Sequence, residues 1–255
     1  MKKTAFTLFA LFGFTLAAFA QTASDKAAFA AKPDIVKADP AAYNLLKEAR
    51  SSSRNFPESF GGYSANVTFN DNGTVYRGTV DYTPKDELKF EMKGLAEDLS
   101  KKLEGDLNSL ISHRRGGDFT KGDGRYPITY GEDDKSPIGR LLLLNDEMNS
   151  SYRIRDNQVV QVNRTFSGET ILINILETTP TENGQFLPRQ FAVTYVDPKT
   201  GAIKRTQAFT DKYELVGGAW LPKSRRVITT ENGVTKVTVT EFENFKVKSA
   251  VAVAK

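Results

Sequence analysis

Three consecutive side chains, His113, Arg114 and Arg115, stand at the end of a segment with helical periodicity. At a helix C-terminus they complement the partial negative charge of the dipole and offer donors to an anion, although plain capping and solvation would use the same residues. A second basic set lies on alternating segments. Arg153 and Arg155 share one face of a predicted strand, and Arg164 lies on its neighbour. Such a row could receive an anionic head group, or form the wet face of a half-buried sheet. Acids crowd a Gly-rich stretch at Asp118, Asp123, Glu132, Asp133 and Asp134. Hard oxygens on pliable backbone suit calcium, but the spacing is not that of an EF-hand loop. Lys121, Arg125 and Lys135 supply local counter-charge, so the stretch reads as a solvated surface loop over an opening in the sheet. Trp220, just after Gly217-Gly218, reads as a core or rim aromatic, with a ligand platform as its other role.

The chain has no Cys and a single His. Disulfides, a thiolate nucleophile and histidine-cluster metal sites are therefore excluded. No nucleophile elbow, phosphate loop, dinucleotide fingerprint or metalloprotease motif occurs. No catalytic, cofactor-binding or metal residue is assigned, and no cofactor is implied. An acid–base pair would have to be assembled from carboxylates distant in sequence. The formal charge of +4 includes two lysines in the first three residues, so the remainder is nearly neutral and gives no reason to expect nucleic acid.

Asp39-Pro40 has the form of an N-cap followed by Pro at the first helical position, predicting a short helix to about Ser51. From Tyr63 the period changes to two. YSANVTFN and TVYRGTVDYT flank Asn72-Gly73, a hairpin signal, and ELKFEM (87–92) alternates again. Between Gly94 and His113, Leu95, Leu99, Leu103, Leu107, Leu110 and Ile111 fall on one stripe, which predicts an amphipathic helix lying on a sheet. An irregular stretch, 114–137, follows. Strand patterns then recur at 139–145, 150–156, 158–166, 169–177, 186–197, 202–215, 219–230 and 234–245. Turn residues separate them, and short links make antiparallel neighbours. The expected fold is mainly β (α+β): a curled antiparallel meander or half-barrel of about ten or eleven strands wrapping one long amphipathic helix.

Lys2-Lys3, an apolar run from about Phe6 to Ala18, and Ala18-Phe19-Ala20 form a secretory signal pattern with cleavage after Ala20. The expected layout is a signal peptide (1–20), a flexible Ala-rich arm (21–38), one β-rich domain (39–246) and a C-terminal tail (247–255). Such a protein would be periplasmic or extracellular and would not span the membrane once cleaved.

The run HRR…DFTKGDGRYPITYGEDDKSPIGRLLLLNDEMNSSYRIRDNQVVQVNRT, with FLPRQFAVTYVDPKTG and YELVGGAWLPKSRRVI, resembles an uncharacterised bacterial domain-of-unknown-function family found in cyanobacterial and related secreted proteins. The resemblance covers roughly residues 43–246 and implies no activity and no catalytic residue. In order of elements the chain is also similar to periplasmic lipoprotein carriers, open half-barrels that hold acyl chains. Fold does not establish function. Three functions are therefore expected in descending order: a non-enzymatic carrier of an apolar or lipid-like ligand, an envelope module that binds another protein, and a carboxylate-dependent hydrolase. Ligand or anion contacts would come from His113, Arg114, Arg115, Arg153, Arg155 and Trp220.

Overall fold

A computed structural model describes residues 37–84 and 88–249. The expected signal peptide, and the arm up to residue 36, lie outside the described residues. Two helices, α1 (Pro40–Ser51) and α2 (Glu97–Ser112), accompany twelve strands. The first three are β1 (Phe60–Asp71), β2 (Thr74–Tyr82) and β3 (Lys89–Met92). The rest are β4 (Ile128–Tyr130), β5 (Arg140–Leu144), β6 (Ser151–Arg155), β7 (Gln158–Phe166), β8 (Glu169–Pro180), β9 (Phe186–Val196), β10 (Ile203–Val216), β11 (Ala219–Glu231) and β12 (Val234–Ser249). The mainly β, curled antiparallel architecture is as expected, with one difference. β4 sits inside the stretch read as irregular, because three residues are too few for alternation to show. The short helix α1, expected from its cap, also packs on the sheet beside the longer α2.

Local chemistry sets the elements. The Asp39 carboxylate accepts from the Ala41 and Ala42 amides, Pro40 opens α1, and the helix buries Ala42, Leu46 and Ala49. Five hairpins close through two-residue turns with both φ positive: Asn72-Gly73, Asp156-Asn157, Ser167-Gly168, Gly217-Gly218 and Asn232-Gly233. That backbone matches the right-handed twist of paired strands.

All strands form one sheet in the order β3-β2-β1-β12-β11-β10-β9-β8-β7-β6-β5-β4. From β4 to β12 the chain is a plain meander, and β1 then pairs with β12. The edges, β3 and β4, are the shortest strands, which limits edge-to-edge pairing with other chains. This order obliges the chain to cross the sheet twice. Once it runs from α1, packed at the β4–β7 end, to β1. Once it runs from β3 through α2 to β4.

The two helices bury separate clusters. Leu103, Leu107, Leu110 and Ile111 of α2 join Tyr63, Phe69, Tyr82, Leu221 and Phe242. Ala42, Leu46 and Ala49 of α1 join Ile128, Leu142, Tyr152 and Ile154. A third cluster of Val193, Phe209 and Val227, with Ile171, Ile173, Phe191 and Tyr195 against it, lies on the central strands β8–β11, and neither helix contributes to it. Among the described residues no helix is long and apolar enough to cross a membrane.

Candidate functional site

The third cluster forms an apolar strip on the sheet between the regions covered by the two helices. Its strands share one face with the helices: Asp211 and Phe209 alternate on β10, and Arg225, opposite Asp211, donates to the Asp106 carbonyl of α2. On this face the cross-strand rows are Ile171–Tyr195, Ile173–Val193 and Ile175–Phe191 between β8 and β9. Phe191 stacks on Phe209 with centroids 4.5 Å apart. Val193, Phe209 and Val227 are buried, whereas Ile171, Ile173, Phe191 and Tyr195 remain half-buried. An apolar strip on which no helix lies is an unusual use of a sheet face, since such a face normally buries itself against another element.

The two crossing segments close one end of the strip. The Arg54 amide donates to the Phe186 carbonyl and the Phe186 amide to the Ser52 carbonyl. Beside them the Phe56 amide donates to the Arg114 carbonyl. Arg114 pins this junction. Its Nε lies 2.9 Å from the Arg54 carbonyl, its Nη2 lies 3.0 Å from the Trp220 carbonyl, and its guanidinium covers the Phe56 ring at 4.6 Å. Burial pushes its pKa down to about 10.

Charged groups flank the strip on both sides. On the α1 side Arg50 places Nε 2.9 Å and Nη2 2.5 Å from Asp123 Oδ2. The Tyr152 hydroxyl donates to Asp123 Oδ1 at 3.0 Å and accepts from Arg50 and Arg164. Arg164 also reaches Asp123 Oδ1 at 3.3 Å. Burial pulls the Arg50 guanidinium down, but Tyr152 and Asp123 more than offset that and hold it above its ordinary pKa. Burial is also the first cause raising Tyr152. On the α2 side Arg225 forks onto Asp211, with Nε–Oδ1 2.8 Å and Nη2–Oδ2 2.7 Å. Desolvation would lower Arg225, yet the bonds and charge of Asp211 hold it raised. Asp106, beside them, is raised by burial.

His113 lies within electrostatic reach of Arg225 on one side and of Arg50 and Arg164 on the other. Water reaches its ring, yet burial holds its pKa below the ordinary histidine value, followed by the charges of Arg225, Arg50 and Arg164, against a backbone bond to Ser109.

The expected contacts are divided by the structure. His113 is exposed at the C-terminal end of α2. Arg114 is a buried tie between crossing segments, and Arg115 is exposed with its guanidinium 5.5 Å from the Tyr82 ring. Arg153 chelates Asp134 through Nη1 at 3.1 Å and Nη2 at 2.5 Å. That holds Asp134 down to about 2. Arg155 donates to the Pro137 carbonyl. Both therefore fasten the 131–139 loop. Trp220 donates its indole N–H to Glu182. The basic row does not form, because Arg164 lies on the opposite face of the sheet from Arg153. Tyr152, not Arg153, shares its face: Tyr152 pairs with Val162 and Arg153 with Gln161. The loop acids serve as ion-pair partners, Asp123 to Arg50 and Arg164, and Asp133 to Lys135 and Arg140. Arg50, Tyr152, Asp211 and Arg225 carried no sequence signal of a site.

A family model described as "Protein of unknown function (DUF3386)" matches residues 37–248. That agrees with the resemblance read from the sequence. No curated protein matches the chain. Among solved structures the chain is similar to a domain described as an outer membrane lipoprotein-sorting protein from Vibrio parahaemolyticus. The identity is 12% and the TM-score 0.35, over 82% of this chain and 92% of that one. It is also similar to a DUF1329 family protein from Desulfovibrio piger, at 12% identity and a TM-score of 0.27, over 86% of this chain and 95% of that one.

Proposed function

The chain belongs to the DUF3386 family of proteins of unknown function, and on that premise we propose that it is an exported, non-enzymatic binding or carrier protein for an apolar, lipid-like ligand held in a hollow of the curled sheet over this strip. The observation that carries this reading is the apolar floor of β8–β11, flanked by two helices that leave it to other occupants. Asp123 and Asp211, the carboxylates beside the strip, are engaged by Arg50, Arg164 and Arg225, so the strip offers a binding surface rather than a positioned acid, base or nucleophile. Burial of apolar surface is the main source of affinity such a strip can supply, at about 25 cal/mol per Å².

Native mass spectrometry of gently purified protein tests this, together with titration by the neutral fluorophore N-phenyl-1-naphthylamine. A co-purified acyl compound and saturable probe binding are expected. Ile173→Asp puts a charge in the middle of the floor and lowers probe affinity by about tenfold or more. A clean apo mass with no probe binding overturns the reading. A pull-down that recovers an envelope protein, from a chain that binds no probe, replaces it with the interaction role. Export is part of the proposal: N-terminal sequencing of the protein recovered outside the cytoplasm should begin at Gln21, and a retained Met1 would contradict cleavage after Ala20.

A further inference from the structure

One cross-strand row ends the floor away from the crossing segments. Arg164, Ile171, Tyr195 and Arg205 stand opposite one another on β7, β8, β9 and β10. At about 4.8 Å per strand the two arginine positions lie roughly 14 Å apart, with the last apolar side chains of the floor between them. A group seated over Ile171 lies between the two, within reach of the long flexible side chains of both.

Neither arginine is fully satisfied by the protein. Arg50 and Arg164 share the single carboxylate of Asp123, which leaves one positive charge over in that cluster. Arg164 Nε is buried with no acceptor. Arg205 has no carboxylate within ion-pair distance among the described residues. Its guanidinium lies 3.9 Å from the Tyr195 ring centroid, and its Nε is likewise buried with no acceptor. Buried donors without partners are costly and seldom tolerated without a purpose. Surplus positive charge and unmet N–H donors thus coincide at one end of an apolar strip. Guanidinium is suited to carboxylate and phosphate, which it can bind through two parallel bonds.

We propose that the hollow takes an acyl amphiphile with an anionic head, its chain lying on the Ile173–Val193–Phe209 floor and its carboxylate or phosphate held between Arg164 and Arg205. This rests on the carrier reading of the same hollow and specifies the ligand's charge and orientation. Arg164 and Arg205 supply the charge.

The test is displacement of N-phenyl-1-naphthylamine from the full chain by palmitate, hexadecyl phosphate, hexadecanol, acetate and inorganic phosphate. Palmitate or hexadecyl phosphate should displace the probe at least about tenfold more effectively than hexadecanol, and whichever of the two does so better identifies the head. Acetate and inorganic phosphate should displace nothing. Arg164→Met with Arg205→Met should bring the acid down to the level of the alcohol, whereas the double Lys variant, which keeps the charge, should retain most of the preference. Circular dichroism checks the fold, and Arg205→Gln alone serves should the double Met variant not fold. Equal displacement by acid and alcohol, with the probe bound, overturns the head-group site and leaves the carrier reading standing. Tight binding of inorganic phosphate alone also overturns it, in favour of a free-anion site. Failure of the chain to bind either the probe or palmitate removes both readings.

Discussion

Replacing Asp211 with Leu should lower the stability of the folded chain by about 3–5 kcal/mol, because it leaves Arg225 charged and unpaired in the interior. Arg225 is 3% and Asp211 1% exposed. The Arg225 guanidinium also donates to the Asp106 carbonyl at 3.1 Å and lies 5.2 Å from the Phe209 ring and 5.8 Å from the Phe191 ring. The Tyr213 hydroxyl sits 3.0 Å from the Pro188 carbonyl and 3.3 Å from Asp211 Oδ2. Loss of the carboxylate removes two charge-assisted bonds and the main counter-charge together, and no water can replace them at that depth. For a chain of this length the melting temperature should fall by roughly 6–20 °C. The double variant Asp211→Leu/Arg225→Met should recover most of that loss, since an ion pair replaced whole by apolar groups of similar volume is often neutral or stabilising. Urea denaturation of the wild type, both single variants and the double variant closes the cycle. Additive losses in the double variant would show that the pair is not coupled.

Two β-bulges explain why this pair, and the face of Arg164, were hidden in the sequence. The turn residues were legible, and with them ten of the paired strand ends: Asn-Gly and Gly-Gly dipeptides state where hairpins close. Extrapolating a register from those turns fails within a few residues. From Gly217-Gly218 a regular ladder would set Ser224 opposite Asp211. The observed shift between Lys212 and Tyr213 sets Arg225 there instead. From Asp156-Asn157 a regular ladder would turn Arg164 to the face of Arg153 and Arg155. The shift between Arg153 and Ile154 turns it to the face of Tyr152 and Ile171. A bulge adds one residue and re-aims every side chain beyond it, and no dipeptide announces it as Asn-Gly announces a turn. The stripe of α2 and the cap of α1 were readable because each is local. The pairing of β1 with β12 was not, because it joins segments far apart in sequence and nothing short-range encodes it. The candidate site inherits that difficulty: Arg50, Asp123, Tyr152 and Arg164 come from four separate segments, and the floor looks in sequence like any buried sheet face.

Phe242→Ala is expected to cost about 3–5 kcal/mol, the range for a fully buried aromatic replaced by a methyl group. Phe242 is 0% exposed and belongs to the cluster that joins Leu103, Leu107 and Ile111 of α2 to the sheet. On β12 it stands opposite Val67, and the Phe245 ring lies 6.3 Å away. Its surroundings come from paired strands whose spacing is fixed by hydrogen bonds, so they cannot close on the space left behind. The loss should therefore lie near the upper part of the range, where cavity cost adds to lost transfer energy. Leu176→Ala, at a side chain 63% exposed, should stay within about 0.5 kcal/mol and serves as the matched control. The two variants also separate stability from binding. Phe242 lies in the α2 cluster, whereas the proposed ligand rests on Val193, Phe209 and Val227. Below its lowered melting point Phe242→Ala should bind the neutral probe with wild-type affinity. A loss of affinity in the folded variant would mean that the α2 cluster and the floor form one cooperative surface, and that the hollow is shaped by where the helix sits rather than by the central strands alone.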